Sequence, residues 1–425
     1  MHRRTFLSNV AAAPIVAAGI SSRQSSAPAT PNTAPCPPDR GLCPGDVDAY
    51  FTEEKLRGAI TPVDVSGVPF EVVAYNFPSW HPSPFMEERF GKGWTEYETL
   101  KTSRPLFAGH LFPKHPLWGY FNEADPRWAE REIDAAHQHG IDAWLIDWYW
   151  HDGTMFYHEQ LEQGFLKAAN RAQLKFALMW ANHHWKNVYP ATSPDDAATI
   201  LPQRHSEADC LRAIDYCIAH YFREPNYWRI GNALVFGIFD LSLILQQLGV
   251  DGWKRASDAM RARVRSAGLG DLHFQANHIY GGHESGLKEL GIDSATRYHT
   301  FGFTYSRPPG RSPWGEGAVM TVADWKATAA KVNVPFFPDC PVGWDDSPRF
   351  GAGAHVAVDR SPDQFERLLR AAQYFAAPRL TPAHPAIVML SAWNEWTEDH
   401  VLLPDTIWGY SYLEAVKRVF AKPPA

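Results

Sequence analysis

The stretch 125-DPRWAEREIDAAHQHGIDAWLIDWYW-150 decides the fold class. Asp125 and Pro126 supply an N-cap and a first helical position. A helical pattern runs over 127–139, and Gly140 stops it. Then comes 142-DAWLIDW-148, nearly all apolar. Such a strand is buried on both faces, as in a parallel sheet covered by helices. Its end carries Asp147, Trp148, Tyr149 and Trp150.

The same rhythm recurs along the chain. Strand-like runs lie at 71–77, 142–148, 175–180, 234–239, 271–277, 295–301, 333–338 and 386–393. Helical patterns fit 127–139, 158–172, 206–222, 252–267, 321–331 and 361–376, with a last one at 410–421 and shorter ones at 241–249 and 284–290. Ser361-Pro362 starts one of them, and Gly268 ends another. Eight strand–helix units predict an α/β fold, a (β/α)8 TIM barrel. An open doubly wound sheet is the rival. It would put a glycine-rich phosphate loop after the first strand, where this chain has NFPSWHP. The connections 78–125 and 181–205 are too long for simple loops. They are expected to shape a substrate cleft.

The bulk composition sets limits. The chain has 425 residues, 45% hydrophobic, with 17 Trp and a formal charge of -7. No dense Lys/Arg cluster appears, which argues against a nucleic-acid partner. The Trp excess has two explanations, core filling and platforms for sugar rings. Residues 1–27, with Arg3-Arg4 before a short apolar run, resemble a twin-arginine export signal. Cleavage is expected between Ala18 and Ala29, with a periplasmic or extracellular destination. No segment is apolar enough to predict stable membrane insertion. Residues 28–69 read as linker and N-terminal segment, and 70–425 as the catalytic domain. Cys36 and Cys43 bracket a tight loop that permits a disulfide after export. Cys210 and Cys217 are too far apart along their helix to pair directly, and read as buried small hydrophobes.

A barrel gathers its chemistry at the C-terminal ends of its strands. The expected rim holds Tyr75, Trp80, His81, Asp147, Trp148, Tyr149, Trp180, Asn182, His183, His278 and Tyr280. Past the seventh and eighth strands come Asp339, Trp344, Asp345, Trp393, Asn394 and Trp396. Aromatics stack on sugar faces, while acids, amides and imidazoles bind hydroxyls. Glu395 and Glu398 are three apart after the last strand. A helical turn there would aim both to one side. Glycoside cleavage usually needs two carboxyl groups, one protonated and one charged. As a bare pattern, E-x-x-E is weak; its position at the rim gives it value.

Six stretches, 75-YNFPSWHP-82, 91-GKGWTEY-97, 141-IDAWLIDWYWHDG-153, 179-MWANHHW-185, 342-VGWDDSPR-349 and 392-AWNEWTE-398, resemble the WbsX-like family. Its members are often labelled glycosyltransferases of surface-polysaccharide loci. The resemblance spans roughly 70–415. The last motif is also similar to the N-E-W-H-E of family-99 glycoside hydrolases, endo-acting α-mannosidases and mannanases on (β/α)8 barrels. That resemblance implies a base role for Glu395, removing the proton of the sugar 2-hydroxyl to form an anhydro-sugar. It implies a general acid/base role for Glu398. It also implies that Trp94 and Glu96 of GKGWTEY belong to the cleft. Thr397 replaces the family's His, and Asp399 stands where relatives usually have Gly. Asn182-His183 stands where they commonly have Asn-Glu.

These observations favour a retaining glycoside hydrolase acting on a polysaccharide or oligosaccharide, with α-manno-like linkages the implied substrate and no cofactor expected. No D-x-D lies between a strand and its loop and no Lys/Arg cluster lies at the rim to mark a nucleotide-sugar site, and export removes the protein from that donor pool. The alternatives are a glycosyltransferase of surface polysaccharide synthesis, a non-catalytic carbohydrate-binding barrel, and a metal hydrolase. The last would draw on the rim histidines His81, His183, His184, His278 and His299, which show no ligand spacing, so no metal is expected. Oligomeric state has no signature.

Overall fold

The computed structural model describes residues 60–193, 196–279, 282–298 and 310–421. The export signal, the Cys36–Cys43 pairing, Tyr280 and His299 lie outside the described residues. No described helix is long and apolar enough to cross a membrane.

Eight parallel strands make the central sheet: β1 (Glu71–Asn76), β2 (Ala143–His151), β3 (Lys175–Trp180), β4 (Ala233–Asp240), β5 (Asp271–His278), β6 (Ser294–Ala295), β7 (Asp339–Pro341) and β8 (Ile387–Ser391). Their order is β6-β5-β4-β3-β2-β1-β8-β7. The register puts Val73 beside Ala143, Ala143 beside Lys175, and Val73 beside Met389. The sheet curls so strongly that its edges meet. Ala295 bridges Phe336 in parallel: Ala295 N donates to Pro335 O at 2.8 Å, and Phe337 N to Ala295 O at 2.9 Å. The result is a half-open, barrel-like sheet flanked by helices.

The seventh strand starts later than the expected 333–338. Pro335 and Pro338 have no N–H to give, so the ladder there shrinks to the Phe336 bridge and resumes at Asp339. The helices are α1 (Pro126–Gln138), α2 (Glu207–His220), α3 (Leu241–Ser266), α4 (Trp314–Ala329), α5 (Pro362–Ala376) and α6 (Ser411–Phe420). The patterns at 241–249 and 252–267 join into α3, kinked at Gly249, where φ is 70°. The pattern at 158–172 is instead a π turn at Gln160–Gly164 followed by 3-10 turns. Gly164 interrupts it against neighbouring backbone; a Cβ there would stand 2.2 Å from Glu123 O. The 284–290 pattern is two 3-10 turns. Helix α4 begins seven residues early, at Trp314. Gly315 and Gly317 are poor helix formers that hid its first turn, and burial holds it.

The caps follow the sequence. Asp125 accepts from Arg127 N at 3.0 Å, and Ser361 Oγ from Gln364 N at 3.3 Å. Replacing Ser361 by Ala should cost about 1 kcal/mol, checked by denaturant unfolding. Tryptophan resolves mainly as core: nine of the twelve largest fully buried side chains are Trp. Cys210, Cys217 and Cys340 are free and buried.

Candidate active site

A cleft of about 720 Å³ opens at the C-terminal rim. Glu395, Glu398, Asp147, Tyr149, His183, His278 and Trp344 line it, with Tyr189, Tyr298 and Arg349. Much of one wall comes from the long 181–205 connection, through His184, Trp185, Lys186, Val188 and Tyr189. The 78–125 connection contributes no described lining residue. It acts from behind.

Local structure explains how the acids converge. After β8, Asn394 and Glu395 pair antiparallel with Val401 and His400, and Trp396–Glu398 make one 3-10 turn. At three residues per turn, positions three apart eclipse, which brings Glu395 and Glu398 to the same side. The turn ends at Asp399 in the left-handed region, φ 58° and ψ 18°. Asp thus adopts the conformation that Gly would take freely. Its carboxylate is held by Lys114 Nζ at 2.5 Å and by Arg360. Asn394 fixes the turn to the rest of the rim. Its Oδ1 accepts from Phe77 N at 2.7 Å, and its Nδ2 donates to Glu123 at 3.3 Å.

Arg349 is the hub of the acids. Its Nη2 donates to Glu96 at 2.9 Å and to Glu395 at 3.3 Å, and its Nη1 pairs with Glu398. Glu96 also accepts from Thr397 Oγ1. Tyr298 donates to Glu395 at 2.9 Å and stands 3.5 Å from Asp147. Burial pushes Glu395 well above the usual carboxylate range, and Glu398 adds to the rise; Arg349 opposes it. Burial also raises Glu398, against the pull of Arg349. Asp147 is driven well up by burial and by Glu398. Asp346, another lining acid, is pushed up to about 8, chiefly by burial. All four acids therefore hold protons more tightly than free carboxyl groups do.

Several expected rim residues sit elsewhere. Alternation along β2 turns Asp147 and Tyr149 into the cleft, whereas Trp148 and Trp150 pack against Tyr216 of α2. Trp180 donates to Trp150 O at 2.9 Å, and Trp393 to Glu132 of α1 at 3.0 Å; both are buried away from the cleft. Trp396 and Trp80 are likewise buried, Trp80 against Tyr97. Tyr75 lies in the barrel interior, donating to Arg297 O at 3.0 Å. Asp339 is buried there too and accepts from Trp325 of α4 at 3.3 Å. Asn182 staples β3 to β4: it accepts from Asp240 N and donates to Asp240 O, both at 2.8 Å.

His81 is fully buried between Glu123 at 3.1 Å and Glu159 at 3.2 Å. Burial opposes its charge, but the two carboxylates outweigh burial and raise its pKa. Apart from Phe77, which lines the cleft, the NFPSWHP stretch is thus scaffold beneath Asn394. Glu96 touches the site through Arg349 and lies behind the wall. Trp94 stacks on Phe90 and meets the edge of Tyr189, which lines the cleft. Asp345 faces a separate cavity and takes 2.6 Å from His110 Nε2.

Two central residues escaped the sequence reading. Arg349 ends the quoted stretch 342–349, but its salt-bridge partners are distant in sequence. Tyr298 lies in the predicted sixth strand, where His299 drew attention. The alternation of inward residues could have singled it out. Among the described residues no three His, Cys, Asp or Glu side chains gather as a metal set.

A curled parallel sheet with a cleft at its C-terminal rim is the architecture of many carbohydrate-active barrels. The chain belongs to the family described as glycosyltransferase WbsX, whose model matches residues 72–416. Two curated relatives, uncharacterized WxcX proteins from two strains of Xanthomonas campestris pv. campestris, are each 26% identical over 372 residues. The match covers 84% of this chain and 50% of theirs, so the chain spans about half the length of these relatives. Among solved structures, the GH99 endo-alpha-mannosidase from Bacteroides thetaiotaomicron aligns with TM-score 0.55 and 14% identity, over 82% of this chain and 96% of that one. A glycoside hydrolase-like protein aligns with TM-score 0.58 and 15% identity, over 87% and 99%. At such identities the likeness is one of fold.

Proposed function

We propose that this chain moves a glycosyl unit at the cleft, with Glu395 and Glu398 sharing the acid–base work. One observation carries this: two carboxyl groups on the same side of a single turn, Glu395 buried and Glu398 partly buried, both held by Arg349. Tyr298 orients Glu395. The family description supports transfer to a sugar hydroxyl ahead of hydrolysis. A retaining carboxyl pair serves either acceptor, because the glycosyl intermediate yields to water or to a hydroxyl.

The donor in this proposal is an existing glycoside. Asp147, Asp240, Asp346, Glu395 and Glu398 line the cleft, and its arginine is occupied by carboxylates. A nucleotide diphosphate would meet that acidic wall. Hydrolysis is the second reading, favoured by the two-carboxyl arrangement itself. The resemblance to endo-α-mannosidases extends the proposal to α-manno-configured sugars, with Glu395 as base toward the 2-hydroxyl and Glu398 as acid/base. Export by the twin-arginine route, to the periplasm or beyond, belongs to the same proposal.

The test is incubation with α-mannan and α-manno-oligosaccharides, with and without nucleotide sugars. New reducing ends or transferred products should form without any nucleotide sugar. Turnover that requires one would overturn the donor assignment. Substrates lacking the 2-hydroxyl of the scissile sugar should be inert, and efficient cleavage of one would remove the role given to Glu395.

A further inference from the structure

We propose that Arg349 sets the protonation state of the Glu395–Glu398 pair, as a positioning residue whose single charge is divided among three carboxyl groups. This rests on the roles given to Glu395 and Glu398 above.

The geometry is specific. Arg349 lies in the short helix Ser347–Phe350, after β7. It reaches Glu96 from the first connection and both acids of the last turn. A planar guanidinium can fork in this way, and a lysine ammonium cannot. Glu96 is fixed in turn by Thr397, one of the two residues between the acids. The 3-10 turn and the arginine therefore hold one another in place.

Lys186, His184, His278, His355 and Asp240 also line the cleft, and Arg349 is the group that pairs directly with Glu395 and Glu398. Asp147 faces the pair from β2. Tyr189, Tyr157 and His183 face the arginine from the other walls, and Asp346 from its own loop. Burial pushes His183 below the usual imidazole range, so it adds no steady positive charge. One guanidinium thus opposes the carboxyls of Glu96, Glu395, Glu398 and Asp147 in a buried site. It cannot hold Glu395, Glu398 and Asp147 all fully ionised. Its removal should shift the pair toward the protonated form, because an opposite charge at this range favours the carboxylate.

The experiment needs no substrate. The carboxyl bands of the empty protein are titrated by infrared difference spectroscopy, with Glu395→Gln and Glu398→Gln used to assign the two acids. In Arg349→Gln the protonated bands should persist to higher pH, by roughly 1–3 pH units. In Arg349→Lys, which keeps the charge, they should stay close to the wild-type positions. Arg349→Met repeats the neutral arm if the glutamine variant is unstable. Unmoved titrations in a folded neutral variant would overturn the proposal. So would loss of folding in both neutral variants, which would mark the cluster as structural. Loss of the glycosyl-transfer proposal would look different: Glu395→Gln and Glu398→Gln would both retain full turnover.

Discussion

Glu395→Gln should lower kcat by roughly 10²–10⁴-fold while the protein stays folded and still binds saccharide. The substitution keeps the shape of the side chain, and the amide oxygen still accepts from Tyr298. What it removes is the capacity to take and return a proton. Burial in this cleft, together with Glu398, raises the proton affinity of Glu395, and Arg349 opposes the rise and favours the carboxylate that a base needs. Glu398→Gln should be similarly damaging, most of all with poor leaving groups, because in the proposed mechanism Glu398 is the acid that protonates the departing oxygen. Steady-state kinetics beside saccharide binding by calorimetry separates these outcomes from misfolding. A non-catalytic binding barrel would lose nothing in either variant.

The sign of the pH effect follows from burial and pairing. Both acids are raised, so both hold protons to higher pH than free carboxyl groups do. Activity that needs Glu395 as base is then lost as pH falls through its raised pKa. Activity that needs Glu398 as acid is lost as pH rises through its own.

Lys114→Met should destabilise the fold by about 3–5 kcal/mol, the second large effect. Lys114 is fully buried, 2.5 Å from Asp399 and 3.5 Å from Asp405. Arg360 holds the other side of Asp399. Removal of Lys114 leaves two buried carboxylates with one guanidinium between them, and that guanidinium reaches only Asp399 by an ion pair. Breaking a buried pair from one side is far costlier than replacing the whole pair with apolar groups. Chemical denaturation reads the loss directly. A change below about 1 kcal/mol, the range of exposed pairs, would show that the quartet is far better hydrated than its burial implies. The same network explains how an Asp occupies the left-handed position after Glu398, so the loss should extend to activity.

The sheet was largely legible in the sequence because its strands are apolar on both faces. β2, β3, β4 and β5 fall within a few residues of the runs that announced them. β7 was misplaced because hydrophobicity ignores the missing N–H groups of Pro335 and Pro338. The site was half legible. Glu395 and Glu398 stand out through chain position, and Asp147, Tyr149, His183, His278 and Trp344 line the same cleft. Trp148, Trp180 and Trp393 were misread because an indole at a strand end looks the same whether it faces sugar or a helix. Only alternation separates the two. His81 and Asn394 serve the site at one remove, as the frame that holds its last turn. Arg349 and Tyr298 act through partners far away in the chain, and no local pattern encodes such pairs.

The most direct test of the account is a crystal structure of Glu395→Gln with an α-manno-oligosaccharide bound. The account predicts a glycosidic oxygen within hydrogen-bond reach, about 2.6–3.2 Å, of the Glu398 carboxyl, with the 2-hydroxyl of the same sugar against residue 395. A sugar seated away from both side chains, such as in the separate cavity beside Asp345, would contradict it.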